Sequence, residues 1–263
     1  KELPGEVFTT RTLATYSYEL NNKKAPFDNV NVRKALNLSL DRNVITDKVL
    51  GQGQTPTYVF TPTYIEEGQL IQQPAYSKEP MAQRNEEAIK LLEEAGYSKA
   101  NPLKFSILYN TNENHKKVAI AAASMWKANT KGLIDVKLEN QEWKTYIDSR
   151  RAGRYDAARA GWNADYNQAT TFGNYFLSNS SNNTAKYANP EYDKAIAESY
   201  VATDAEGRAK AYAKAEEILA KDFGIVPIFN YVNPRLVKPY VKGYSGKDPQ
   251  DHIYLRNLYI IKH

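Results

Sequence analysis

KFSILYNTNENHKKVAIAAASMWKANTKGLIDVKL, residues 104–138, changes its hydrophobic period twice, and that change decides the fold class. Over 104–110, Phe105, Ile107 and Tyr109 fall on one side of an extended chain, the pattern of a half-buried strand. Residues 111–114 form a polar, capping-type loop. Beyond it Val118, Ala121, Ala122, Met125 and Trp126 share one stripe of a helix that stops by Gly132. Alternation resumes over 134–138; then 142–152 reads as a helix and 155–160 as a strand. Strand, helix, strand, helix, strand with short connections predicts βαβ units and a parallel sheet.

Upstream, residues 31–50 read as one helix with Val32, Leu36, Leu40, Val44 and Val49 near one face, ended by Gly51 and Gly53. A Pro- and Tyr-rich stretch over 55–80 has no clear period, and 83–95 is a short helix closed by Gly96. Downstream, 190–201 and 205–222 are helices, and 225–231, 235–240 and 253–261 read as strands without helices between them. Residues 6–20 are strand-like as well. The simplest organisation lets the two ends pair in one sheet. The flanks 1–24 and 225–263 then surround an α/β lobe over 25–224.

Composition narrows the function classes. A hydrophobic content of 42% with 25% charged residues is globular, and no apolar run is long enough to cross a bilayer as a helix. The chain has no cysteine, which removes disulfides, thiol nucleophiles and thiolate zinc sites, and three histidines argue against a His-rich metal centre. The net charge of +5 is spread along the chain, too weak to argue for nucleic acid. No P-loop, nucleophile elbow, His-Glu-x-x-His or dinucleotide fingerprint occurs, so neither a catalytic centre nor a cofactor is expected. Asp156 and Asp165 are the nearest thing to an acid–base pair, with nothing in their spacing to favour it. Tyrosine outnumbers phenylalanine 20 to 8, which suits a ligand surface and ordinary strands equally.

Ligands of open parallel sheets sit where strand-end loops converge. Three such loops carry Asn110 to His115, Gln141 to Trp143, and Arg159 to Asn167. Asp165, beside Trp162 and Tyr166, suits an ammonium group, and it suits a helix cap or turn as well. Arg159 suits a bidentate carboxylate clamp or a structural salt bridge. His115 begins a helix, where a carboxylate would meet imidazole and free backbone donors; a solvated first-turn histidine has the same sequence. Trp143 and Trp162 are pocket walls or core.

PFDNVNVRKALN (26–37), RNEEA (84–88), LYNT (108–111), NQEWK (140–144), ARAGW (158–162), LSNSS (177–181), VKPY (237–240) and NLYIIKH (257–263) resemble segments of the large solute-binding proteins of peptide ABC importers, family 5. The likeness runs through the whole chain and is to the C-terminal half of the oligopeptide-binding members. It implies a type II periplasmic-binding-protein-like lobe with a parallel or mixed sheet flanked by helices, plus terminal strands of a second lobe. It implies short peptides as ligands and periplasmic delivery to ABC permease transmembrane subunits. A missing N-terminal half would be a further partner, and nucleic acid or membrane insertion plays no part. The alternative is a sibling carrying murein peptide, haem or another solute.

Carried over residue by residue, the resemblance makes Asp165 the partner of the peptide α-amino group, and Arg159 and His115 cations for the α-carboxylate. Gly161 and Asn163 fall in a segment that pairs with the peptide as a strand. Trp143, Arg150, Asn110, Asn182, Thr184, Tyr231 and Glu19, with Trp162, match pocket positions. Three departures stand out: Ala14 and Asn163 replace a cysteine pair, Arg151 replaces a pocket histidine, and Leu50 replaces a lysine used for longer peptides.

Overall fold

The computed structural model describes residues 5–248 and 250–262; residues 1–4, Pro249 and His263, parts of the two predicted flanks, lie outside the described residues. The chain opens with strand β1 (Val7–Leu20), helix α1 (Val30–Leu38), a π-helical turn over Val44–Leu50, strand β2 (Thr55–Pro56) and helix α2 (Met81–Glu94). The alternating segment follows as β3 (Leu103–Asn110), α3 (Glu113–Asn129), β4 (Ile134–Gln141), α4 (Trp143–Arg151) and β5 (Ala157–Asn163). Helices α5 (Thr170–Gly173), α6 (Pro190–Val201) and α7 (Ala205–Lys221) lead into β6 (Ile225–Leu236) and the short strands β7 (Val241–Lys242) and β8 (Tyr259–Ile260).

Six strands form one mixed sheet in the order β2-β6-β1-β5-β3-β4. β3 runs parallel to both β4 and β5, as the βαβ pattern predicts. The two ends of the chain pair as β1 with β6, and β1 also pairs antiparallel with β5. Flanks and middle therefore share hydrogen bonds in one sheet. Strand alternation sorts the packing. Tyr16, Tyr18, Leu20, Phe105, Ile107 and Ile228 enter one core with α1, α2 and α3, where Trp126 donates to the Leu36 carbonyl at 2.9 Å. Leu13 and Ile225 enter a second core, with Phe60, Phe172 and α6 and α7.

The predicted single helix over 31–50 is broken. α1 ends at Leu38, and Asp41 accepts from the N–H groups of Asn43 and Val44 to start a new turn. The carbonyls released at the break go to Arg42, which is fully buried and donates to Asn37, Leu40, Thr57 and Pro227. Restarting resets the helical phase, so Ile45 and Thr46 are buried and Val44 is exposed. Two other expectations change. Residues 225–236 form one strand, β6, which takes in the predicted 225–231 and stops before 237–240, and within 253–261 only Tyr259–Ile260 pairs, with Val241–Lys242.

Candidate functional site

β5 extends three residues past its predicted end, to Asn163, and those residues make the site. The Ala164 N–H donates to the Leu13 carbonyl, so even-numbered residues of β5 aim their backbone groups at β1. Arg159, Gly161 and Asn163 aim theirs the opposite way. On that side β3 pairs with β5 only at Ala157 and Ala158. Beyond them the strand edge is open among the described strands, apart from the Arg159 carbonyl, which accepts from the Tyr146 hydroxyl.

The open edge borders a cleft of about 620 Å³. Arg159, Gly161 and Asn163 line it from β5, Asn110 and His115 from the β3–α3 junction, Trp143 from the start of α4 and Tyr231 from β6. The structure thus gathers seven residues singled out in the sequence. Arg159 donates to the Tyr231 hydroxyl at 2.6 Å and lies 5.2 Å over the Tyr16 ring, while its Nε is buried without an acceptor. Among the described residues it makes no ion pair with a carboxylate. A sheltered guanidinium with donors to spare is a ready site for an anion. Gly161 is small for a local reason: a Cβ there would lie 2.9 Å from Arg159 Nη2 and 3.1 Å from the Tyr231 oxygen.

Asn112 caps α3 by accepting from Asn114 and His115, which turns the His115 ring to within 5.5 Å of Tyr16. Burial, reinforced by the Arg159 charge, pulls the His115 pKa down to about 3. Its Nδ1 is buried and unpartnered. With no carboxylate paired to it among the described residues, the His115 imidazole is therefore held neutral in this cleft. Leu50 borders a smaller chamber of about 180 Å³ that shares His115 and Tyr231 with the cleft.

Six expected residues do not line the cleft. Trp162 points to the opposite face, as its even number requires: its indole N–H donates to the Thr171 carbonyl at 2.9 Å and its ring meets Tyr175. Glu19 is fully buried on that same face. There it accepts from Arg150 at 2.8 Å, from Tyr175 at 2.6 Å and from Thr184. Glu19, Arg150 and Thr184 thus form a closed network. Asn182 lies in an exposed turn, where its carbonyl accepts from Thr184. Asp165 stands at the rim, exposed and one residue past the cleft-lining Ala164. It accepts from the Thr171 hydroxyl at 3.3 Å and makes no ion pair among the described residues.

Arg151 is exposed at the end of α4, and Asp156 is held by Lys24 at 2.6 Å and by Ser106, so no carboxylate pair with Asp165 forms. The cysteine-replacing positions do meet: Ala14 and Asn163 are directly opposed across β1 and β5. Sequence reading missed Asn233, Gln250 and Asp251, which close the cleft from the C-terminal side. Burial pushes the Asp251 carboxyl up, but hydrogen bonds from Arg235 and Asn233 outweigh it and hold the group below the usual carboxylate range. No local motif marks these three residues, because only the return of β6 brings them to the site.

Residues 2–184 match the family described as bacterial extracellular solute-binding proteins, family 5 Middle. The whole chain is 96% identical to the periplasmic oligopeptide-binding protein OppA of Haemophilus influenzae, covering 49% of it. It is 44% identical to the periplasmic murein peptide-binding protein MppA of Escherichia coli, covering 48%. The crystal structure of Haemophilus influenzae OppA in complex with RPPGFSPFR superimposes with a TM-score of 0.93 at 95% identity, over 99% of this chain and 51% of that one. The chain spans about half the length of the curated relatives it matches. Its mixed sheet, flanking helices and sequence are those of a type II periplasmic binding protein, and the chain belongs to bacterial extracellular solute-binding protein family 5.

Proposed function

We propose that this chain supplies one wall of a periplasmic site for short oligopeptides, gripped by backbone and charged termini and handed to the transmembrane subunits of an ABC permease. The observation that carries this reading is the open β5 edge beside Arg159, which has no carboxylate partner among the described residues. A peptide laid on the edge completes the backbone hydrogen bonds of Gly161 and Asn163 by strand addition. Its carboxylate meets Arg159 and its ammonium meets Asp165 at the other end of the strand. Six strand steps separate those residues, roughly 20 Å. Subtracting the reach of the two side chains leaves room for about three extended residues. Backbone and termini are common to all peptides, so this grip confers affinity without sequence choice.

In the whole protein a second lobe closes the cleft and dries the terminal charges. The isolated chain lacks that cover and binds far more weakly. Calorimetry with trialanine and N-acetyl-trialanine tests the reading. Free peptide binds more tightly, and Asp165→Ala removes the difference. Equal binding of both peptides by the unmodified chain would refute a role for Asp165 and favour a sibling that carries another solute. Mass spectrometry after incubation separates binding from hydrolysis: the peptide is recovered intact.

A further inference from the structure

A second cavity, of about 950 Å³, lies between α1, α2, α7 and residues 70–79, and it shares no lining residue with the cleft. Its volume is that of a small-molecule site. The floor is apolar, made by Leu38, Ala220, Tyr76 and Phe223, the two rings 5.7 Å apart. Phe223 is held at a φ of 49°, in the left-handed region that a phenylalanine seldom adopts, and its carbonyl accepts from Arg33. The backbone thus fixes this ring where it borders the groove.

Charges around the groove are almost all matched. Lys34 pairs with Glu87 at 2.5 Å, Lys221 with Glu217 at 2.5 Å, Lys210 with Glu206 at 2.6 Å and Lys214 with Glu198 at 3.5 Å. Glu79 is the lining acid that makes no ion pair among the described residues, and one of its carboxylate oxygens is buried without a donor. A carboxylate placed so leaves negative charge uncompensated beside an apolar wall. We propose that this groove binds an amphipathic organic cation, its apolar body on Tyr76, Phe223 and Leu38 and its protonated amine facing Glu79. An anion would meet the same carboxylate as repulsion, and a neutral molecule would leave it unmatched.

Ligand-observed NMR titration of the chain with 4-phenylbutylamine, 4-phenylbutanol and 4-phenylbutanoate tests the proposal. The amine binds about ten-fold or more tighter than the alcohol, and the carboxylate most weakly. Glu79→Gln reduces the amine to the level of the alcohol. Ala213→Trp, which fills the groove, removes all three, and Asp165→Ala in the cleft changes none of them. Tightest binding by phenylbutanoate would give the site to the lysines instead. Equal affinities, indifference to Glu79→Gln, no binding at millimolar concentration, or a dimer abolished by Ala213→Trp would each overturn the proposal.

Discussion

Two sheltered arginines mark the two faces of the sheet. Arg150, on the side of α4 and α6, meets Glu19 with two of its nitrogens, and Tyr175 and Thr184 fill the remaining positions of that carboxylate. Arg159, facing the cleft, has a tyrosine hydroxyl and a ring face in place of an acid. The first arrangement is complete within the protein and the second is not. An arginine beside its own carboxylate holds a fold together, whereas one sheltered without a carboxylate waits for a ligand to bring one.

The largest expected effect follows from that contrast. Arg150→Met leaves Glu19 buried and unpaired, and urea denaturation should show a loss of about 3–5 kcal/mol. Arg159→Met removes a charge that has no carboxylate partner among the described residues, so stability should stay within about 1 kcal/mol of the parent. Equal losses from the two variants would erase the distinction between the faces.

The register that opens the β5 edge can be sharpened next. Ala14 and Asn163 form a non-hydrogen-bonded pair, since Leu13 and Ala164 hold the backbone bond beside them. Such pairs bring Cα atoms to about 4.5 Å, within disulfide range. Ala14→Cys with Asn163→Cys should oxidise in air and stabilise the chain by about 2–4 kcal/mol relative to the reduced form. Two persistent free thiols would mean the register is wrong.

The smallest effect concerns His115. Its folded pKa of about 3 lies below the ordinary value of 6.5, so between those limits the unfolded chain binds a proton that the folded chain does not. Its contribution to stability is therefore present above pH 6.5 and is lost as pH falls toward 3. Because the ring is partly exposed, this amounts to about 1 kcal/mol, and His115→Asn should flatten that part of the urea-stability profile. A steeper loss in the variant than in the parent would reverse the sign.

Period and punctuation made β3, α3, β4 and the tail helices legible. The apolar stripe over 31–50 reads as one helix, whereas Asp41 within it caps a new turn. At the site, the aromatic and glycine content of 161–163 resembled a loop, although Ala158, Ala160 and Trp162 continue the alternation of a strand. Parity then decides which residues reach the cleft: Gly161 and Asn163 do, and Trp162 does not. Glu19 and Arg150 were expected in the pocket from the family resemblance alone, with no signal of their own in the sequence. Only the packing shows that they satisfy each other.

The most direct test is an amide NMR titration of this chain with trialanine and with trialanine amide. The account predicts that Gly161 and Asn163 shift most, that Ala160 and Trp162, whose backbone faces β1, shift least, and that the amide-capped peptide binds more weakly until Arg159→Met makes the two equal. Equal binding of both peptides to the unmodified chain, or shifts centred away from β5, would contradict it.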